Sequence, residues 1–323
     1  MKRKQIIVII LFLIIFNLLI YLNKNNNDVQ SISNLRINNL NEYTLIPYLD
    51  EHINLNKPKG IINMPDGLLI ADSGNNRLLY LNNSGNIKKI IGKIGNGPYE
   101  FIDPTSITID KKNNIYIIDN GNLRIQILNK NLEYIKSIKL DEFRNISPNS
   151  FISDIAVDDN LRIYISLCSI EQKYSHIYYI EPSGIIKNFG KNKYGYLITG
   201  NSELFFAQYL ELINNKNQLT IQSGKNSLYK INNGRITKTC KLPDKYAPKD
   251  GFILDNNIYI INGAFCTIDK LDLSGKYIGS LINADKEYLG FNYMCYKDKS
   301  IYVTNTTKNS LYKFELNNKN VVK

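Results

Sequence analysis

Asp154, Glu211 and Asn292, with Asp250 as a fourth candidate, carry the hard oxygen donors that a cation such as calcium takes. They lie far apart in the chain and could act only if a fold brought them to one point. Other chemistries find less to work with. Two histidines, His52 and His176, exclude any centre built on three imidazoles. Four cysteines, Cys168, Cys240, Cys266 and Cys295, include no C-x-x-C pair, which excludes a zinc ribbon or a thioredoxin-type motif. His176 is near Cys168, the pairing a thiol nucleophile uses, yet no helix N-terminus and no third orienting group accompany it. Gly92, Gly95 and Gly97 form a glycine-rich run without the following helix whose N-terminus would hold a phosphate.

A carboxylate and a guanidinium recur together. Asp72 with Arg77 reappears as Asp119 with Arg124. A catalytic group is needed once, so recurrence assigns both pairs to structure: a carboxylate that holds a turn and an arginine that bridges neighbouring strands. The segments around them are copies of one unit. Asp66-Gly67-Leu68-Leu69-Ile70-Ala71-Asp72 is echoed by Asn113-Asn114-Ile115-Tyr116-Ile117-Ile118-Asp119, with Leu69 and Tyr116 47 residues apart. The same short apolar strand returns at Ile163-Tyr164-Ile165, Leu219-Thr220-Ile221, Ile258-Tyr259-Ile260 and Ile301-Tyr302-Val303, at successive offsets of 48, 56, 39 and 43. Each copy is followed by a turn and another strand, then an Asn- or Ser-Gly type turn that carries positive φ cheaply.

Short β-rich strands, hairpin turns and a period near 40–50 residues specify four-stranded propeller blades, and six copies specify six of them. The last copy runs out one strand short. Tyr43-Thr44-Leu45-Ile46-Pro47-Tyr48 is a spare strand near the start, placed to pair with the final blade and to remove two exposed sheet edges.

The run Gly92-Lys93-Ile94-Gly95-Asn96-Gly97-Pro98-Tyr99-Glu100-Phe101, then Pro104 to Asp110, Asn114 to Asp119 and Leu123-Arg124-Ile125-Gln126-Ile127, resembles an NHL repeat. Tyr99 stands where the family's Gly-Pro-Gly-Glu-Phe has its second glycine. The resemblance is strong over residues 60–138 and fades afterwards, with Ser166 and Asn262 standing for the aspartate. It is to the six-bladed NHL-like propellers of bacterial cell envelopes. Lactonase-like six-bladed propellers hold a cation in the central channel, which is what the resemblance implies for Asp154, Glu211 and Asn292. Amidating-lyase propellers need zinc-binding histidines that this chain lacks.

In a propeller, function sits on the loops of one face or in the channel. Two connections on that face are long, Leu167–His176 and Lys191–Gln208. The second carries Tyr194, Tyr196, Phe205 and Phe206, with Tyr209 next. Aromatics among Asn, Lys and Gly suit a surface for a protein or carbohydrate partner, with His176 on the same side. The rival reading is that these rings cover the edge of an irregular blade.

The chain has 323 residues, 43% hydrophobic and 21% charged, which describes a globular protein. Its net charge is +11, but Lys2, Arg3, Lys4 and Lys24 flank an apolar run from Ile6 to Leu22. Seventeen residues at the helical rise span about 25 Å, close to the roughly 30 Å of a bilayer's hydrocarbon core, with Tyr21 and Lys24 as interfacial anchors. Asn23-Lys24-Asn25-Asn26-Asn27-Asp28 offers no small residue for signal cleavage. The expected architecture is all-β, a six-bladed β-propeller with an N-terminal transmembrane helix: 1–24 a signal anchor, 25–41 a polar tether, 42–323 the propeller. Positive charge before the anchor puts the propeller outside the cytoplasm, away from nucleic acid. The leading expectation is a membrane-tethered, non-catalytic binding module that needs no cofactor. The alternative is a calcium-dependent hydrolase or lyase that uses the channel.

Overall fold

The computed structural model describes residues 43–46, 48, 53–143, 150–169, 176–191, 193–200, 203–215, 218–222, 227–232, 235–242, 247–282 and 288–316. The anchor and tether lie outside them. Among the described residues no helix is long and apolar enough to cross a membrane.

The first blade is β2 (Pro58–Met64), β3 (Gly67–Asp72), β4 (Arg77–Asn82) and β5 (Ile87–Ile91), preceded in the chain by β1 (Tyr43–Ile46). A short parallel pair, β6 (Lys93–Ile94) and β7 (Glu100–Phe101), leads to the second blade: β8 (Pro104–Ile109), β9 (Ile115–Asp119), β10 (Arg124–Leu128) and β11 (Tyr134–Lys139). The third is β12 (Ser150–Val157), β13 (Ile163–Ser169), β14 (His176–Ile180) and β15 (Ile186–Lys191). The fourth contains β16 (Lys193–Gly200), β17 (Glu203–Asn215), β18 (Gln218–Gln222), β19 (Ser227–Asn232) and β20 (Arg235–Lys241). The fifth is β21 (Pro248–Leu254), β22 (Asn257–Asn262), β23 (Thr267–Asp272) and β24 (Tyr277–Ser280). The sixth is β25 (Phe291–Lys297), β26 (Ser300–Asn305) and β27 (Ser310–Leu316).

The innermost strands β2, β8, β12, β16, β21 and β25 pack each against the next, and β25 returns to β2. This is an all-β propeller. Hydrogen bonding divides it into five sheets of four or more strands, because β16 and β21 share one parallel bridge, Thr199 with Phe252, that fuses two blades.

The second strand of a blade is sandwiched between neighbours, so both of its faces are apolar. In β3 every residue is buried. Leu69 and Ala71 pack on Phe101 of β7 and on Ile107 and Ile117 of the second blade, while Leu68 and Ile70 face Tyr293, Cys295 and Tyr302 of the sixth. The two-residue strand period thus assigns alternate side chains to opposite neighbours. Each such Leu or Ile is worth about 1.5–3 kcal/mol in burial. The outer strand β5 is exposed except at Ile91.

The ring closes as the spare strand implied. β1 pairs antiparallel with β27, Tyr43 opposite Leu316 and Ile46 opposite Lys313. Tyr43 packs on the cluster containing Phe291 and Phe314.

Three expectations are corrected. Lys191–Gln208 is not an irregular loop: β16 and the start of β17 form an antiparallel pair there. Leu219-Thr220-Ile221 is not a blade strand, since β18 forms a hairpin arm with the far half of β17, Glu211–Asn215. The near half of β17 lies between β16 and β19, so the surplus of the longest repeat spacing goes into that arm. Finally, β12–β13 register puts Leu167, not Ser166, at the position of Asp119: Leu167 faces Ile152 as Asp119 faces Pro104.

Candidate functional site at the channel mouth

Loops on the upper face are pinned before the channel opens between them. Asp72 and Asp119 are fully buried. Asp119 accepts from the Ile102 amide (2.8 Å), Asn122 Nδ2 (2.9 Å) and Arg124 Nε (2.8 Å). Asp72 accepts equivalently from the Asn56 amide (2.8 Å), Asn75 Nδ2 (2.8 Å) and Arg77 Nε (2.7 Å). These pairs are structural, as their recurrence implied.

Five inner strands share one local irregularity. Against its partner, each carries one extra residue near its upper end: between Pro58 and Ile61, Pro104 and Ile107, Ile152 and Asp154, Pro248 and Gly251, and Phe291 and Tyr293. A bulge re-aims the side chains beside it. Here it delivers Lys59, Thr105, Ser153, Lys249 and Asn292, one from every blade but the fourth. Three of the strands begin with proline, which a first strand position tolerates because no ladder donor is needed there.

Lys59, Asp103, Thr105, Asn120, Ser153 and Asn292 line a cavity of about 300 Å³ at the mouth, with Phe151, Ile152 and Tyr293. A second cavity of about 300 Å³ lies beyond it and holds Ser106, Asp154, Asp250 and Cys295. Tyr293 borders both, and its hydroxyl donates to the Ser153 carbonyl at 2.8 Å, joining the sixth blade to the third.

In the inner cavity Asp154 accepts from Ser106 Oγ at 2.6 Å and the Ile155 amide at 2.9 Å. Asp250 accepts from the Met294 amide at 2.7 Å. Burial first, and the Asp154 charge second, push the Asp250 carboxyl well above the usual carboxylate range. The Cys295 thiol is pushed up by burial and then by Asp250.

At the mouth Lys59 Nζ is 2.7 Å from Asp103 Oδ1. Lys249 Nζ donates to Asn292 Oδ1 at 2.9 Å, and Asn292 Nδ2 donates to Thr306 Oγ1 at 2.6 Å. Burial pushes the Lys249 ammonium down. Gly263 leaves room for it, since a Cβ there would lie 2.8 Å from Lys249 Cε.

Of the oxygen-donor set, Asp154 and Asp250 share the inner cavity, whereas Asn292 lines the mouth with its amide committed to Lys249 and Thr306. Glu211 is not on an inner strand at all; it lies on β17 opposite Lys193, its side chain outside the described residues. Among the described residues no three His, Cys, Asp or Glu side chains cluster as metal ligands. Tyr194 and Tyr196 are on β16, Phe205, Phe206 and Tyr209 on β17, and their side chains lie outside the described residues. So does that of His176, which opens β14 opposite Leu167, while Cys168 faces Phe151. Lys59, Thr105 and Lys249 were missed in the sequence. Their signal was a cationic or hydroxyl residue directly after a strand-initial proline.

A family model described as 6-bladed beta-propeller matches residues 22–243. Human NHL repeat-containing protein 3 is 39% identical over 61 residues, 19% of this chain and 18% of that protein, so the match spans less than a fifth of the relative's length. Among solved structures, the virginiamycin B lyase of Staphylococcus aureus is similar at TM-score 0.54 and 17% identity, covering 85% of this chain and 100% of that one. The Xanthomonas campestris gluconolactonase is similar at TM-score 0.60 and 12% identity, covering 86% and 91%. At those identities the likeness is one of fold.

Proposed function

The chain belongs to this NHL-like 6-bladed beta-propeller family, and from that premise we propose a non-catalytic binding module for a protein or glycan partner. In this reading residues 1–24 hold it at a membrane, with the propeller outside the cytoplasm. The observation that carries it is the mouth: a concave polar cavity lined by the bulged residues of four inner strands, Lys59, Thr105, Ser153 and Asn292, set in a face whose loops are fixed by buried hydrogen bonds. A preformed site of this kind spends little binding energy on ordering itself.

The test is capture of immobilised oligosaccharides and of proteins crosslinked in native membranes by the full chain in detergent. Ser153→Trp, which fills the mouth, should abolish capture while leaving the melting temperature within a few degrees. If that variant captures normally, the partner surface is elsewhere, and Tyr194→Ala with Tyr196→Ala tests the β16–β17 pair as its place.

A second reading is favoured by the inner carboxylates. Asp154 and Asp250 set two carboxyls in one cavity, with Asp250 pushed above the usual carboxylate range by burial and by Asp154, the pairing on which a calcium-dependent hydrolase or lyase would draw, and a lyase and a lactonase share the fold. Chemical change in the captured ligand on adding calcium, lost in Asp154→Asn, would replace the first reading with this one.

A further inference from the structure

The mouth offers more donors than acceptors, Asp103 being its one carboxylate and already paired with Lys59. Asn120 Oδ1 is taken by the Ile152 amide at 3.2 Å and Asn292 Oδ1 by the Lys249 ammonium at 2.9 Å. Both partners can only donate, so each amide's orientation is fixed and its nitrogen faces the other way. Among the described residues nothing takes the Asn120 Nδ2 hydrogens or the second Asn292 Nδ2 hydrogen, which leaves them for whatever enters. Thr105 lines the cavity at 4% exposure, and its Oγ1 meets no partner among the described residues. Leaving a buried hydroxyl unmet costs about 1–3 kcal/mol, which a seated ligand oxygen would return.

Charge points the same way. Lys59 lines the mouth paired with the Asp103 carboxylate, which lines it too, and Lys249 sets a second ammonium behind Asn292, outside the lining. A charged donor on Oδ1 polarises the Asn292 amide and makes its N–H a stronger donor. Asp154 beyond Tyr293 opposes deeper entry by an anion. The cavity is near the lower limit for small-ligand sites, room for one ring rather than a peptide segment, and Phe151 and Tyr293 supply aromatic walls.

We infer that the channel mouth is an anion-recognition site for a carboxylate-bearing sugar, a uronate at the end of a glycan. Lys59, Thr105, Asn120 and Asn292 hold its carboxylate and hydroxyl oxygens. The inference rests on the binding-module reading and gives that module's ligand a chemistry.

Saturation-transfer NMR on the full chain in detergent, with D-glucuronate, D-glucose and N-acetyl-diglycine as probes, tests it. Glucuronate should bind at least about tenfold tighter than either of the others, and the advantage should shrink as salt rises. Thr105→Val should weaken glucuronate about tenfold, with Thr105→Ser restoring most of it, and Lys59→Met should remove the preference over glucose. Equal binding of glucose and glucuronate overturns the anion assignment, and equal binding of the acidic peptide overturns the sugar. An unchanged Thr105→Val, confirmed folded by its melting temperature, overturns the site. If Ser153→Trp abolishes partner capture while glucuronate never binds, the inference fails and the binding module stands. If Ser153→Trp captures normally, the module's proposed face fails instead.

Discussion

In the second blade a buried aspartate, Asp119, holds the loop between the middle strands; in the fifth, Asn262 has that place and the carboxylate sits at Asp269 on the next strand. Asp119 is matched by the Arg124 guanidinium. Asp269 is matched by Asn262 Nδ2 at 3.1 Å, Thr267 Oγ1 at 2.8 Å and Ser280 Oγ at 2.6 Å. The two chemistries perform one task. In both, the acceptor takes the amide of the chain arriving from the previous blade, Ile102 or Ala247, and that same residue's carbonyl accepts from the loop glycine, Gly121 or Gly263, at 2.8 Å. A Cβ on Gly121 would come within 2.3 Å of Ile102, so the clasp needs glycine there. The ring preserves the clasp and lets its chemistry vary.

Breaking the charged version should cost most. Asp119→Ala strands the Ile102 amide and takes the counter-charge from the Arg124 guanidinium, which keeps only carbonyl partners, and should lower unfolding stability by about 3–5 kcal/mol in denaturant titration. Restoring the motif where it is absent should also hurt. Asn262→Asp sets a second carboxylate against Asp269 and should cost about 2 kcal/mol, although it recreates the NHL residue. Adding Asp269→Asn to that variant removes the repulsion and should recover at least half of the loss, a coupling that a double-mutant cycle measures directly.

The smallest effect concerns the fifth blade's other carboxyl. The Asp250 pKa is raised on folding, so the native state keeps a proton that the unfolded chain releases. Its contribution is therefore fully present below the ordinary value of 3.8 and is lost as pH rises toward the folded value. Asp250→Asn, which mimics the protonated acid, should match the wild type in acid and exceed it at neutral pH. Parallel curves for the two proteins across that range would show that Asp250 is ionised in the fold.

Much of the ring was legible because its information is local. The apolar strand copies, the closing strand and the Asp–Arg pairs of the first two blades each show in a short window. The fourth blade did not, because β17 serves two partners along its length and only pairing reveals which half belongs to the blade. The site was harder still. Asp154 and Asp250 share the inner cavity without Glu211 or Asn292, and the bulges that shape the mouth are mismatches between two strands that cannot be read from either. Asn292 looked like a cation ligand until its oxygen was found committed to Lys249.

The pairing of β1 with β27 also sets a clock. Residues 46 and 313 meet only when nearly the whole chain exists. At about 5–20 residues per second, the first strand waits roughly 15–50 s on the ribosome for its partner. For that interval the growing ring has an open edge at each end, and such edges are templates for mispairing. The most vulnerable moment of this protein is its synthesis, and a slow stretch late in translation should raise aggregation more than the same pause placed early.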